Sequence, residues 1–281
     1  MDACFGKTVG DASFIDERLQ RITSRQNAKV KQLRQMFHRA APNQKGEVAI
    51  EGMHLVEEAI RSGLRPRAVF FSESARERAH KLIPQLPSKT ETLRLPDEVF
   101  SSAVPTETPQ GVAASVSVRA FTLDDVLRSQ PALIVIAAGV QDPGNLGTIA
   151  RSAEAFGATG LLLAEGTVSP WNWKAVRASA GSMFRLPLVK VELHSAVDEL
   201  KPRAIRVLAT SSHKGTSIRD VDWKDPVALV IGNEGSGLPK DVLAKADKTI
   251  FIPQSPTVES LNAGIAASII LYEAARQRER P

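Results

Sequence analysis

Three short stretches of this chain carry side chains suited to chemistry. The first reads Asp142-Pro143-Gly144-Asn145-Leu146-Gly147-Thr148-Ile149-Ala150-Arg151 and follows the apolar run Leu133–Ala138. Pro143 and Gly144 make a turn, and Asn145 suits the cap of a helix whose free backbone N–H groups would point outward. Capping alone would explain Asn145, and an exposed helix base would explain Arg151. The second stretch follows Val227–Ile231 and reads Gly232-Asn233-Glu234-Gly235-Ser236-Gly237-Leu238-Pro239, with three glycines in six positions. Glycine lets the backbone approach a ligand closely. The loop lacks the Lys-Ser/Thr pair of a phosphate-binding loop and the Gly-x-Gly-x-x-Gly spacing of a dinucleotide fold. Glu234 at its centre needs a partner, and an arginine such as Arg151 would serve. The third stretch follows Thr249–Ile252 and reads Pro253-Gln254-Ser255-Pro256-Thr257-Val258-Glu259-Ser260-Leu261-Asn262. Two prolines hold it extended; Ser260 is expected to cap the final helix, with Asn262 in its first turn.

Such loops matter because ligands on open parallel sheets bind beyond the carboxyl ends of the strands. The elements around them fit that arrangement. Near-continuous apolar runs at Leu133–Ala138, Gly160–Leu163, Ile205–Thr210, Val227–Ile231 and Thr249–Ile252 read as buried parallel strands. Helical patterns fall at Leu146–Phe156, Ser195–Leu200, Pro239–Lys245 and Ser260–Arg278. The last of these sets Leu261, Ile265, Ile269 and Tyr272 on one face and small residues over much of the rest, which suits close packing on another helix, here or in a second subunit.

Upstream, residues 47–118 alternate β-type runs (Val48–Ile50, Ala68–Phe71, Thr90–Leu95, Val112–Val118) with helices around His54–Arg61 and Ala75–Leu82. This predicts a smaller α/β domain. Residues 119–130 hold few core-forming side chains and are assigned as a linker to a second domain, 131–281. Residues 1–20 lack a clear period and are expected to form a mobile leader. Residues 21–46 form a basic helical extension, with Ser24 as its cap and Val30, Leu33 and Phe37 on its apolar face.

At 281 residues and 43% apolar composition the chain can fill a sizeable core, so a disordered chain is excluded. Its 36 Lys and Arg against 31 Asp and Glu give a modest net charge, but Arg21, Arg25, Lys29, Lys31, Arg34, Arg39 and Lys45 share one stretch without an acid. A solvated helix face is the plain reading of such a run, and phosphate contact the functional one. The single cysteine, Cys4, leaves no internal disulfide, and no Cys/His cluster has zinc-ligand spacing. A cytoplasmic protein without metal is expected, and the sequence shows neither a bilayer-length apolar run nor a signal peptide. Trp171 and Trp173 are read as structural, as are His54, His194 and His213.

Together the three loops resemble the motifs of the SpoU (TrmH-like) branch of the SPOUT RNA ribose 2′-O-methyltransferases. The likeness holds in order, spacing and residue type: Asn145-x-Gly147-x-Ile149-x-Arg151, then Gly232-Asn233-Glu234-Gly235-x-Gly237-Leu238, then Ile252-Pro253 with Glu259-Ser260-Leu261-Asn262. Residues 47–118 look like the α/β substrate-binding domain often placed before that catalytic domain, and Ile22-Thr23-Ser24-Arg25-Gln26-Asn27 is similar to the start of many ribosomal-RNA members. The sequence departs from the usual third motif: Gln254 stands where Met is common, Pro256 where Gly is common, and Ala263-Gly264 replaces a frequent Val-Ser pair. These departures bear on loop shape and donor affinity.

The resemblance implies an α/β fold with a C-terminal SPOUT α/β-knot (deep trefoil) domain. It implies S-adenosylmethionine as methyl donor, held by Thr210, Ser211, Gly232, Asn233, Glu234, Gly235, Ile252, Pro253, Leu261 and Asn262. It also implies a homodimer with the site near the subunit interface. Arg151, Asn145, Glu234, Ser260 and Asn262 become the catalytic set. The family's arginine is proposed to activate the ribose hydroxyl; because a guanidinium stays protonated, a clamp on phosphate and developing alkoxide is the expected role for Arg151. Arg25, Lys29, Lys31 and Arg34 are the expected RNA contacts. Ribosomal RNA is the expected substrate; a transfer-RNA ribose methylase, a base-methylating relative and a non-catalytic RNA-binding or assembly protein are the alternatives.

Overall fold

The computed structural model describes residues 15 and 17–278, and the chain divides into two compact units, Met1–Val118 and Arg119–Pro281. The first unit runs β1 (Leu19–Arg21), α1 (Ala28–Arg39), β2 (Glu47–Glu51), α2 (Met53–Arg61), β3 (Arg65–Ser72), α3 (Arg76–Leu82), β4 (Glu91–Leu95), α4 (Asp97–Ser101) and β5 (Val112–Ser117). Its five-stranded sheet has the order β1-β4-β3-β5-β2. Strands β1, β4 and β3 are parallel, while β5 is antiparallel to both β3 and β2.

The basic segment 21–46 is not an appendage, as the sequence suggested, but part of this unit. Asn27, not Ser24, caps α1, its side chain accepting from Lys29 N at 2.9 Å. Val30, Leu33, Met36 and Phe37 are all buried. Full burial of side chains such as Val30 and Leu33 stabilises by roughly 1.5–3 kcal/mol each, enough to hold a short helix that would not persist alone. The expected leader also ends earlier than assigned. Leu19–Arg21 pairs with Thr92–Arg94, and Ile15 is buried; the remainder of that segment, 1–14 and 16, lies outside the described residues.

The second unit runs α5 (Leu123–Leu127), β6 (Leu133–Ala137), α6 (Pro143–Ala155), β7 (Gly160–Leu163), α7 (Trp173–Ala178), β8 (Leu188–Lys190), α8 (Leu193–Leu200), β9 (Arg206–Thr210), β10 (Thr216–Ser217), β11 (Val227–Ile231), α9 (Lys240–Lys245), β12 (Lys248–Phe251) and α10 (Ala263–Arg278). Seven strands pair in parallel in the order β10-β12-β9-β11-β6-β7-β8. Strands β6 and β11 are buried at every position, which explains their unbroken apolar sequence.

The stretch assigned as a linker, 119–130, belongs to this unit. Thr122 and Asp125 form a reciprocal capping box at the start of α5, and Val126 is fully buried. A side chain at Gly160 would come within 2.6 Å of Val126, so the short helix lies directly on the start of β7. Five residues with one deep anchor are too short to show a helical period in sequence.

After β12 the chain returns to lay α10 along α6. A methyl group at Gly264 would sit 3.0 Å from Thr148 Cβ, the Ser152 and Ser268 hydroxyls are 2.6 Å apart, and the Phe156 and Tyr272 rings meet edge-on at 5.8 Å. The small residues of α10 thus serve contact within the chain. Of its larger apolar residues Ile270 and Leu271 are buried, while Ile265, Ile269 and Tyr272 are 52%, 37% and 57% exposed. At the far end of α10 the Arg278 guanidinium donates to four backbone carbonyls, those of Pro131, Ala132, Trp223 and Asp225.

Candidate active site

The order β12-β9-β11-β6 makes neighbours of four strand ends, so the loops after them converge. The first turn of α6 begins at Pro143, and its cap is Asp142, whose Oδ1 accepts from Asn145 N at 2.7 Å. Asn145 is therefore not the cap that its residue type suggested. Its side chain is free to turn inward, where only 8% of the residue is exposed.

Asn145 Nδ2 donates to Glu234 Oε1 at 2.9 Å, and Asn145 Oδ1 accepts from Asn262 Nδ2 at 2.8 Å. One amide thus joins all three loops. Gln141 N adds a longer bond to Glu234 Oε2, at 3.4 Å. Burial raises the Glu234 pKa, but the Asn145 amide and the loop N–H groups outweigh it, so the carboxyl sits below its ordinary range. Glu234 is a fixed anion, and its partner is Asn145 rather than Arg151.

The loop that presents Glu234 is rigid for a local reason. Asn233 and Gly237 exchange both backbone hydrogen bonds, at 3.2 and 3.0 Å, and Gly237 takes the positive φ of +67° that the tight return requires. Asn233 Oδ1 collects Gly235 N, Ser236 N and the Ser236 hydroxyl, while its Nδ2 donates to Gly139 O at 2.8 Å. That last bond ties the loop after β11 to the loop after β6.

Asn262 is the residue that bonds the first turn of α10, accepting from Ile265 N at 3.2 Å. It stands ahead of the helix rather than inside it, and Ser260 is not the cap. Ser260 is exposed on the wall of a cavity of about 690 Å³ that opens beside this cluster. Of the residues expected to hold a cofactor, Thr210, Ser211, Gly232, Asn233, Glu234, Gly235, Ile252 and Leu261 line that cavity; Pro253 and Asn262 do not. Sequence reasoning missed Lys214 and Glu259, which also line it. Two bonds hold its far wall together: Gln254 Nε2 to Ser212 O at 3.3 Å, and the His213 ring Nε2 with Glu259 O at 3.0 Å.

Arg151 lies further along α6. It is exposed and makes no hydrogen bond or ion pair with the described residues. Of the expected RNA contacts, Arg25 pairs with Glu98 at 3.2 Å, Lys29 with Glu91 at 2.7 Å, and Arg34 donates to the Ser102 carbonyl and hydroxyl. Lys31 is exposed on α1. The basic run is therefore partly neutralised within its own unit by acids distant in sequence.

A parallel α/β domain with a polar cluster and a cavity at one set of strand ends is the architecture of a cofactor-binding enzyme. Residues 132–272 match the SpoU rRNA Methylase family, and residues 27–114 match the MRM3-like substrate binding domain. The chain is 34% identical over 258 residues to the 23S rRNA (guanosine(2553)-2′-O)-methyltransferase RlmP of Bacillus subtilis, covering 90% of this chain and 98% of that protein. It is equally similar, 34% over 270 residues, to the 23S rRNA (uridine(2479)-2′-O)-methyltransferase of Streptomyces viridochromogenes, covering 92% and 93%. A crystal structure of an rRNA methyltransferase from Sinorhizobium meliloti superposes with a TM-score of 0.80 at 30% identity, covering 94% of this chain and all of that one. The AviRb methyltransferase of Streptomyces viridochromogenes, solved with AdoMet, gives 0.76 at 31% identity, covering 90% and 99%. The chain belongs to the SpoU family of methyltransferases, and its second unit has the SPOUT α/β-knot fold.

Proposed function

We propose that this protein transfers a methyl group from S-adenosylmethionine to a ribose 2′-hydroxyl of ribosomal RNA. The observation that carries this reading is the joining of Asn145, Glu234 and Asn262 by hydrogen bonds from three loops at the edge of the cavity. The ribosomal substrate is supported by the 23S rRNA activities named for the two relatives.

The cavity fits the donor. Pockets for molecules of this size span about 300–1,000 Å³. Its ionisable lining is Glu234, Glu259 and Lys214, an acidic excess suited to a ligand that carries a sulfonium and an ammonium. Gln254 Oε1, buried and without a hydrogen-bond partner, is a further sign of a polar ligand. Thr210, Ser211, the backbone of Gly232–Gly235, Ile252 and Leu261 would hold it. When bound, it supplies an electrophilic methyl group whose transfer in line needs no metal.

The chain's own residues then have to align the hydroxyl and tolerate the charge that develops on it. A carboxylate held below its ordinary range is a weak base, so Glu234 acts by fixing Asn145, and the ribose proton passes to solvent water as the S–C bond breaks and the O–C bond forms. Asn145, clamped at both ends of its amide, gives the site a fixed polar edge. Arg151 is available to clamp the neighbouring phosphate and the incipient alkoxide, and Ser260, exposed at the cavity, to position the RNA.

The protein is proposed to act as a homodimer, for which Ile265, Ile269 and Tyr272 offer an exposed apolar face on α10. Its proposed compartment is the cytoplasm. Among the described residues no helix is long and apolar enough to cross a membrane. The test is to map ribose methylation in ribosomal RNA from cells with and without the gene. Loss of one methylated nucleotide, restored by wild-type protein, is expected; an unchanged map would refute the reading.

A further inference from the structure

The wall of the cavity contains one polar atom that the protein leaves without a partner. Gln254 Oε1 is buried and accepts no hydrogen bond, although Gln254 lines the cavity. An amide oxygen in this state costs stability, so native proteins rarely leave one unless something else completes it. The orientation of the amide is not arbitrary. Its Nε2 donates to Ser212 O at 3.3 Å, and rotating the group would set two oxygens against each other. The oxygen is therefore held away from Ser212 by a bond that only the nitrogen can make.

We infer that Gln254 Oε1 accepts a hydrogen bond from the 6-amino group of the donor's adenine, making Gln254 a recognition residue for the purine. The inference rests on the donor assignment above. An acceptor-only oxygen calls for a group that only donates; the donor offers the exocyclic amine of adenine and the methionyl ammonium, and the ammonium, a full charge, is better met by the carboxylates of Glu234 and Glu259 in the same lining. Ribose hydroxyls, by contrast, both donate and accept. Burial also suits the base, whose flat apolar faces gain most from leaving water, against Ile252 and Leu261 of the same lining. Methionine, common at this position in the family that the motifs resemble, is close to glutamine in length but offers no comparable acceptor. Recognition of the amine through this side chain is thus a property of this sequence.

The experiment is calorimetric titration of the full-length protein with S-adenosylhomocysteine and with S-inosylhomocysteine, which carries a carbonyl in place of the amine. Wild-type protein should bind the adenosyl compound about tenfold more tightly than the inosyl one, the effect of one buried hydrogen bond. Gln254→Met should weaken the adenosyl compound by about the same factor and bring the two affinities together. Thermal melts report whether the variant folds. Wild-type binding with an unchanged preference in Gln254→Met would overturn this inference alone. Failure of wild-type protein to bind S-adenosylhomocysteine would overturn the donor assignment and the inference with it.

Discussion

Asn145 donates to Glu234 across 89 positions of sequence, and the same amide accepts from Asn262, which is 117 positions from Asn145. Removing the middle member leaves both neighbours short of a partner. Asn145→Ala is expected to lower stability by about 1–3 kcal/mol and to reduce methyl transfer more than tenfold. Asn145→Asp should be worse, since it faces Glu234 with a second carboxylate. Thermal melts and a methylation assay on purified RNA give both readings; an Asn145→Ala protein with wild-type turnover would remove this cluster from the mechanism.

Although burial opposes it, the hydrogen bonds from the Asn145 amide and the loop N–H groups hold the Glu234 carboxyl below the ordinary carboxylate range in the folded protein. Its ionised form is favoured by folding, so its contribution is complete above the ordinary carboxylate range and fades as pH falls through the folded value. The stability gap between wild type and Glu234→Gln should stay level from neutral pH to about 5 and shrink on further acidification. Urea unfolding at a series of pH values measures this. A gap that widens in acid contradicts the assignment.

Arg151 is exposed with no partner among the described residues, and the guanidinium fork is what a lysine lacks. Arg151→Lys is expected to lower the methylation rate at least tenfold while leaving affinity for S-adenosylhomocysteine unchanged. Near-normal methylation would mean that positive charge alone suffices.

The apolar residues of α10 that face outward allow a direct test of the dimer. Ile269→Glu, at a position 37% exposed, should leave the fold intact and yield a monomer in sedimentation at micromolar concentration. If the variant sediments as wild type does, another surface holds the subunits together.

Gly147 has no room for a side chain: a methyl group there would lie 2.5 Å from both Ala175 O and Ala178 Cβ. Gly147→Ala should force α6 and α7 apart, at a cost of about 1–3 kcal/mol, and shift Asn145 two residues earlier. Lower melting temperature with a proportionate loss of activity is the expected pair of results. A wild-type melt would show that the helices can yield.

What could be read in the sequence divides along physical lines. Strands β6, β9 and β11 were legible because both faces of a central parallel strand are covered, which leaves an unbroken apolar run such as Leu133–Ala137. Strand β8 and helix α7 were not. Leu188–Lys190 is a three-residue edge strand, only partly buried, and Trp173–Ala178 spans under two turns. Residue type located Asn145, Glu234 and Asn262 but misassigned their local roles. Asp142 took the cap, Asn262 replaced Ser260 at the start of α10, and Asn145 rather than Arg151 met Glu234. Side-chain hydrogen bonds between distant loops leave no periodic trace. The same holds for the basic run before and within α1, where Arg25, Lys29 and Arg34 looked free until Glu98, Glu91 and Ser102 were folded against them.

Arg278 returns the chain to where the catalytic unit began. Its guanidinium holds the carbonyl of Pro131, made 147 residues earlier, together with those of Ala132, Trp223 and Asp225. During synthesis, the first strand of this sheet must wait through nearly the whole domain before that clasp can close. Contacts of such long sequence separation form slowly.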